Sequence, residues 1–278
     1  MISNSPSLDV PRRNCDGVWD YISPSRLNCW LACPLKFKAR YLDGIKSPTT
    51  PNLFLGKQVH AALEHFYRHR MLSITLEPGE VTAWIGKTWE QAAAEEEMVF
   101  KSEADEAALK PQANVLVMAY LESVPAAEPR PIAVEVTMEA PLVDPVTGEN
   151  LGIPLLGIVD LIAGGEDGAS IVDFKTAARS APPFEVTHEI QLSSYSYLFR
   201  KISGQPESSL EIRSIIKTKT PKVDTCGYSA RSNIHFRRLF AVIREYLDAL
   251  DPGRFNFRPG WGCSMCDFRE THCRRWRG

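Results

Sequence analysis

The sequence predicts an α/β or α+β fold in which a mixed central sheet is flanked by helices. Three observations carry that reading. Apolar residues recur at helical spacing over about 53–124, the pattern turns to alternation after the proline-rich linker Pro125–Pro131, and beyond residue 185 a helix, a strand and a helix follow in turn. At 278 residues, 44% hydrophobic and 24% charged, the chain can bury a sizeable core, and no stretch nears the roughly 20 apolar residues that span a bilayer. A soluble, cytoplasmic protein is expected. Residues 1–20 mix Ser, Pro, Arg and Asp as a loose tail, and 21–278 read as one domain with a helical subdomain over 53–124.

The elements follow from local chemistry. Ser23-Pro-Ser-Arg-Leu27 supplies a hydroxyl cap and a first-turn proline for a helix carrying Leu27, Trp30 and Leu31, and Pro34 should break it at Cys33. Leu55, Val59, Leu63 and Phe66 form one apolar face of a helix over Leu53–His69, with His60 beside it. Val81–Val99 and Ala108–Ser123 complete the helical block. Strands follow at Ile132–Leu142, Ile153–Ile162 and Ser170–Phe174, separated by turn-rich Asp144–Asn150 and Gly164–Gly168. A helix over Glu185–Lys201, a strand over Leu210–Lys217 and an amphipathic helix over Arg231–Leu250 close the order.

A net charge of −2 does not by itself point to nucleic acid, but the charge is unevenly spread. Glu77–Ala108 holds nine acids against Lys87 and Lys101, whereas the chain from Arg231 onward holds ten arginines against five acids. A DNA-facing C-terminal end is one reading of that imbalance, and solvated helix faces are the other.

The chemistry concentrates on two neighbouring strands. Gly157-Ile-Val-Asp160 closes one, Asp173-Phe-Lys175 the next, with twelve residues between the acids. If the strands pair through the Gly164–Gly168 turn, both carboxylates converge on one sheet edge as hard oxygen ligands for Mg²⁺ or Mn²⁺. Strand periodicity puts Lys175 on the same face as Asp173, where the lysine can orient or deprotonate the attacking water while a metal polarises a phosphodiester. The backbone carbonyl of Phe174 is a further ligand candidate. Gln191 and Tyr195 share a helix face four residues apart, as polar support for the site or as a surface glutamine with a core tyrosine. His60 is a nitrogen ligand or a structural histidine, and His65 and His69 read as solvated.

Together these residues resemble the RecB-type branch of the PD-(D/E)xK nucleases, which includes the AddB nuclease domain and the CRISPR adaptation nuclease. The match runs from Ser23 to Cys273 through Ser23-Pro-Ser-Arg-Leu, Cys33-Pro-Leu-Lys-Phe37, Gly56-Lys-Gln-Val-His60, Gly157-Ile-Val-Asp160, Asp173-Phe-Lys175 and Gln191-Leu-Ser-Ser-Tyr195. The resemblance implies a restriction-endonuclease-like sheet, metal bound by His60, Asp160 and Asp173, water assisted by Lys175, and Gln191 and Tyr195 as support. It also implies a [4Fe-4S] cluster held by one early and three late cysteines, a pattern that Cys33, Cys263, Cys266 and Cys273 complete in a C-terminal region over 251–278. By spacing alone tetrahedral zinc suits those ligands equally. Cys29 reads as a buried thiol, and Cys15 and Cys226 stand apart from the set.

Around the late cysteines, Trp261, Phe268 and Trp276 mix with Arg258, Arg269, Arg274, Arg275 and Arg277, either stacking bases and meeting phosphates or packing about the cluster. Gly86-Lys-Thr88 imitates the end of a nucleotide-binding loop, but Gly79 precedes Gly86 by seven positions where that loop needs five, so no ATP is expected. The leading functional expectation is an exonuclease acting on single-stranded DNA or DNA ends. The rival is a DNA-end binding and processing module of a larger recombination or CRISPR adaptation complex.

Overall fold

The computed structural model describes residues 17–100, 102–180 and 185–276. The tail expected over 1–20 lies outside them up to residue 16, as do Cys15, Lys101 and Arg277, and Val18 is buried. The chain divides into two compact units, one formed by 1–45, 139–157 and 232–278, the other by 46–138 and 158–231.

In the first unit Ser23 caps α1 (Pro24–Ala32), its hydroxyl accepting from the Arg26 amide at 3.3 Å. Cys33 is extended at the break before α2 (Pro34–Phe37), as the proline dictates. A π turn over Lys38–Leu42 follows. Phe236, Leu239, Phe240, Ile243, Tyr246 and Leu250 form the buried stripe of α7 (Asn233–Leu250), and the Tyr246 ring meets Trp30 and Phe37 edge-on at 5.7 and 5.4 Å.

In the second unit three helices carry one core. Thr50 caps α3 (Pro51–Met71), the Glu77 amide donates to the Glu80 carboxylate at 2.8 Å at the start of α4 (Pro78–Glu95), and Ser102 caps α5 (Glu103–Ser123). Gly86-Lys-Thr88 lies inside α4. The last helix begins at Glu103 rather than at the expected Ala108, where the Ser102 hydroxyl caps it by accepting from the Asp105 amide, and Pro111 is tolerated on an exposed face. Phe54, Leu55, Val59, Leu63, Ile85, Trp89 and Val117 pack with Val134, Leu161, Val172, Phe174 and Ile215, so the helices share their core with the sheet strands of this unit.

The sheet has five strands in the order β1 (Pro131–Val143), β2 (Asn150–Gly165), β3 (Gly168–Ala177), β4 (Ser209–Ile216) and β5 (Lys222–Ser229). The β2/β3 and β4/β5 pairs are antiparallel, and β3/β4 is parallel. The crossover between β3 and β4 contains α6 (Glu185–Ser203), as a parallel pair requires. The result is the mixed α/β sheet flanked by helices that the sequence predicts. One strand went unforeseen: β5 is a half-exposed edge, Lys-Val-Asp-Thr-Cys-Gly-Tyr-Ser, whose polar composition protects an unpaired rim and hides the strand signal. Among the described residues no helix is long and apolar enough to cross a membrane.

Candidate active site

The β2/β3 hairpin turns through Glu166 and Asp167 between the paired Gly165 and Gly168, the latter at φ +117°, where a side chain would be strained. Its ladder runs to Leu161 opposite Val172 and stops. Asp160 and Asp173 are the next residues on each strand, so both acids stand at the fork where the two backbones part. The ladder bond missing there is replaced: the Phe174 amide donates to the Asp160 carboxylate at 2.6 Å. Lys175, two residues past Asp173, meets its carboxylate at 2.6 Å, and the Gln191 amide donates to the other Asp173 oxygen at 2.7 Å and to the Tyr195 hydroxyl at 2.9 Å.

On α3, His60 sets its Nδ1 3.8 Å from Asp160, and its ring meets Phe174 edge-on at 6.2 Å. Glu64 and Arg68, ion-paired at 2.6 Å, continue that face at helical spacing. Among the described residues, one group of three His, Cys, Asp or Glu side chains brings its ligand atoms within 4.8 Å of one another, and it consists of His60, Glu135 and Asp160. Sequence reasoning missed Glu135. It lies on β1 at φ +46°, a left-handed conformation that departs from strand geometry and redirects the side chain. The available signal was an acid set between Val134 and Val136 in an otherwise apolar alternation. His188 was missed as well, although it shares the Gln191/Tyr195 face of α6 and feels the charges of Lys175 and Asp173.

The electrostatics are those of crowded acids. Burial, then the charges of Asp160 and Glu64, push Glu135 up to about 7. Burial raises Asp173 to about 6 against the pull of Lys175, and it raises Asp160, which shares a hydrogen bond with Glu135. Burial lowers His60, leaving a neutral imidazole with a lone pair to offer. Because the folded pKa of Glu135 exceeds its ordinary 4.5, its contribution to stability is full below about pH 4.5 and is lost as pH rises through about 7. A cation that displaces the proton shared with Asp160 reverses that loss. Mn²⁺ affinity, read as the rise in Tm on adding the ion, should therefore grow from about pH 5 to about pH 7 and then level off; a flat profile across that window contradicts the assignment.

The PD-(D/E)XK nuclease superfamily model matches residues 21–274. The chain belongs to the PD-(D/E)XK nuclease superfamily. Its fold is similar to the crystal structure of a "Putative exonuclease" from Eubacterium rectale, with TM-score 0.59 and 12% identity over 99% of this chain and 96% of that one. A second solved structure, SSO0001, is 16% identical over 86% of this chain and 93% of that one, with a TM-score of 0.36. No curated protein matches the chain. Within this PD-(D/E)XK chain, the cysteine set lies in the unit that does not contain the carboxylate fork. There Cys273 is pushed up by burial and by the thiols of Cys33, Cys263 and Cys266, each within electrostatic reach of it. Cys29, one helical turn before Cys33, is raised by burial and also feels Cys33 and Cys266.

Proposed function

We propose that this PD-(D/E)XK chain is a divalent-metal-dependent DNA exonuclease of the RecB type, acting on single-stranded DNA or DNA ends. The observation that carries the proposal is the convergence of His60, Glu135 and Asp160 beside the Asp173–Lys175 ion pair. Burial and the neighbouring acids raise Glu135 to about 7, and a neutral imidazole beside it makes a mixed nitrogen and oxygen donor set suited to Mn²⁺ or Mg²⁺. Such an ion polarises the scissile phosphate and acidifies the attacking water. The remaining work belongs to the chain. The Phe174 amide fixes the Asp160 carboxylate and its carbonyl offers a further ligand, Gln191 fixes Asp173 and is itself held by Tyr195, and the Lys175 ammonium orients the attacking water and sets positive charge beside the phosphate.

The test is cleavage of end-labelled single strands with Mn²⁺ against EDTA, in the native protein and in Glu135→Gln. Cleavage in Mn²⁺ alone is expected, with the variant needing roughly ten- to a hundred-fold more ion, at least the cost of losing a supporting residue around a metal. Metal-independent cleavage, or a variant with unchanged ion demand, defeats the assignment.

The cysteines support a [4Fe-4S] cluster bound by Cys33, Cys263, Cys266 and Cys273. By spacing zinc suits the same four thiolates, and the resemblance to RecB-type nucleases is what favours the cluster. Anaerobically purified protein should show a broad visible absorption band that Cys33→Ser removes. Stoichiometric zinc with no band would overturn the assignment. A cluster near an arginine-rich end is also compatible with service inside a recombination or CRISPR adaptation complex.

A further inference from the structure

The arginine and aromatic mixture of the C-terminal segment separates into side chains that pack and one that does not. Phe268 is 4% exposed and its ring meets His272 at 5.8 Å, while Trp276 packs against Phe257 at 5.2 Å. Trp261 is 87% exposed, the highest value for any large apolar side chain among the described residues. Its neighbours are Gly260 and Gly262, and a Cβ built on either would meet nothing within 4 Å, so the backbone on each side of Trp261 faces open space. The backbone beneath is nonetheless fixed. A 3₁₀ turn over Trp261–Met265 is held by the Cys263 amide donating to Gly260 at 3.0 Å and by the Ser264 hydroxyl donating to the Trp261 carbonyl at 2.9 Å. This is a large flat ring, almost wholly exposed, on a short, braced support.

The segment that carries it is cationic. Between Arg254 and Trp276 five arginines face two acids, Asp267 and Glu270. Arg269 and Arg274 pair with Glu270 at 3.4 and 2.8 Å, but their side chains stay 57% and 72% exposed, and ion pairs that open to water are easily exchanged for phosphate. An exposed indole offers a face for an unpaired base, and arginines offer charge for the backbone that carries it. Duplex DNA has its bases stacked already and would use only the charge. A protein partner would bury the indole with Met265, which is 77% exposed, but would have to neutralise the arginine rim.

We propose that Trp261 is a stacking post for one base of a single-stranded nucleic acid, with Arg269, Arg274 and Arg275 on the adjoining phosphates. The proposal rests on the nuclease reading and names the substrate form that this unit engages. It is tested with a fluorescein-labelled oligothymidylate of roughly 20 nucleotides, long enough to cover one single-strand site, titrated by anisotropy in EDTA so that nothing is cut. Trp261→Ala should weaken binding roughly five- to a hundred-fold, the loss of one stacked base, and Trp261→Phe should recover most of it. Arg274→Ala with Arg275→Ala should instead flatten the salt dependence. In Mn²⁺, Trp261→Ala should raise KM for the oligomer, leave kcat in place, and leave hydrolysis of bis(p-nitrophenyl) phosphate untouched. Native-like oligothymidylate binding by Trp261→Ala overturns the proposal, including the case in which that variant loses self-association instead. Failure of the native protein to hydrolyse the small diester in Mn²⁺ overturns the nuclease reading, whatever the binding shows.

Discussion

Lys175→Ala should lower the rate of DNA cleavage about 10²- to 10³-fold, the range spanned by loss of one preorganised charge-stabilising donor, while DNA and Mn²⁺ affinities stay close to native. The Lys175 ammonium touches the Asp173 carboxylate at 2.6 Å and keeps about a third of its surface open, so it is held by the site and still accessible to a water and a phosphate. It supplies no ligand atom to the His60, Glu135 and Asp160 group, which is why ion binding should survive its removal. Single-turnover cleavage, set beside anisotropy and an Mn²⁺ titration, separates the two effects. Degradation at the native rate by purified Lys175→Ala would end the proposed mechanism.

Arg213→Met should cost about 3 kcal/mol of folding stability, near the low end of what breaking a buried pair costs, and should shift the urea midpoint accordingly. Arg213 on β4 pairs with the Glu128 carboxylate, and both Tyr67 and Tyr120 join the pair through hydroxyls 2.7 Å apart. Glu128 is 4% exposed, so the loss of Arg213 strands a buried charge; Arg70, 3.3 Å away, compensates in part and keeps the cost from running higher. Burial pushes the Tyr120 hydroxyl up to about 12, so it can donate but not ionise near neutrality. The double variant Arg213→Met with Glu128→Leu should recover much of the lost stability, because the uncompensated charge goes with its partner. A single variant as stable as the native protein would show that the pair contributes nothing. The network also reaches the catalytic strand: Tyr67 stacks on Phe174 at 5.8 Å and Tyr120 meets it edge-on at 5.3 Å, and Phe174 is the residue whose amide steadies Asp160.

The parts of the molecule legible in its sequence are those governed by short-range periodicity. Asp160, Asp173 and Lys175 could be placed because a two-residue repeat and a glycine-bounded turn determine which side chains meet, and Gln191 and Tyr195 because four residues make one helical turn. Glu135 could not be placed by the same rule. Its φ of +46° departs from the alternation that the rule assumes, and its partners are brought to it by strands and a helix distant in sequence. His188 was within reach, since its spacing to Gln191 and Tyr195 repeats a helix face, but a histidine at the start of a helix attracts no notice until Lys175 and Asp173 are beside it. The edge strand β5 was hidden by the polar residues that keep such an edge from recruiting neighbours. Trp261 and Phe268 looked equivalent in the sequence because residue type does not record exposure; 87% against 4% distinguishes them.

The two-residue bend at Glu166 and Asp167 works as an alignment gauge for the whole catalytic arrangement. Strand faces alternate at every step, so lengthening the bend in a way that slides the β3 arm by a single position would turn Val172 and Phe174 out of the core together with its acid. Loop exchanges there divide by parity: those that keep the arms in step preserve both the packing and the meeting of the two acids, and those that shift them by one cost the fold as well as the fork.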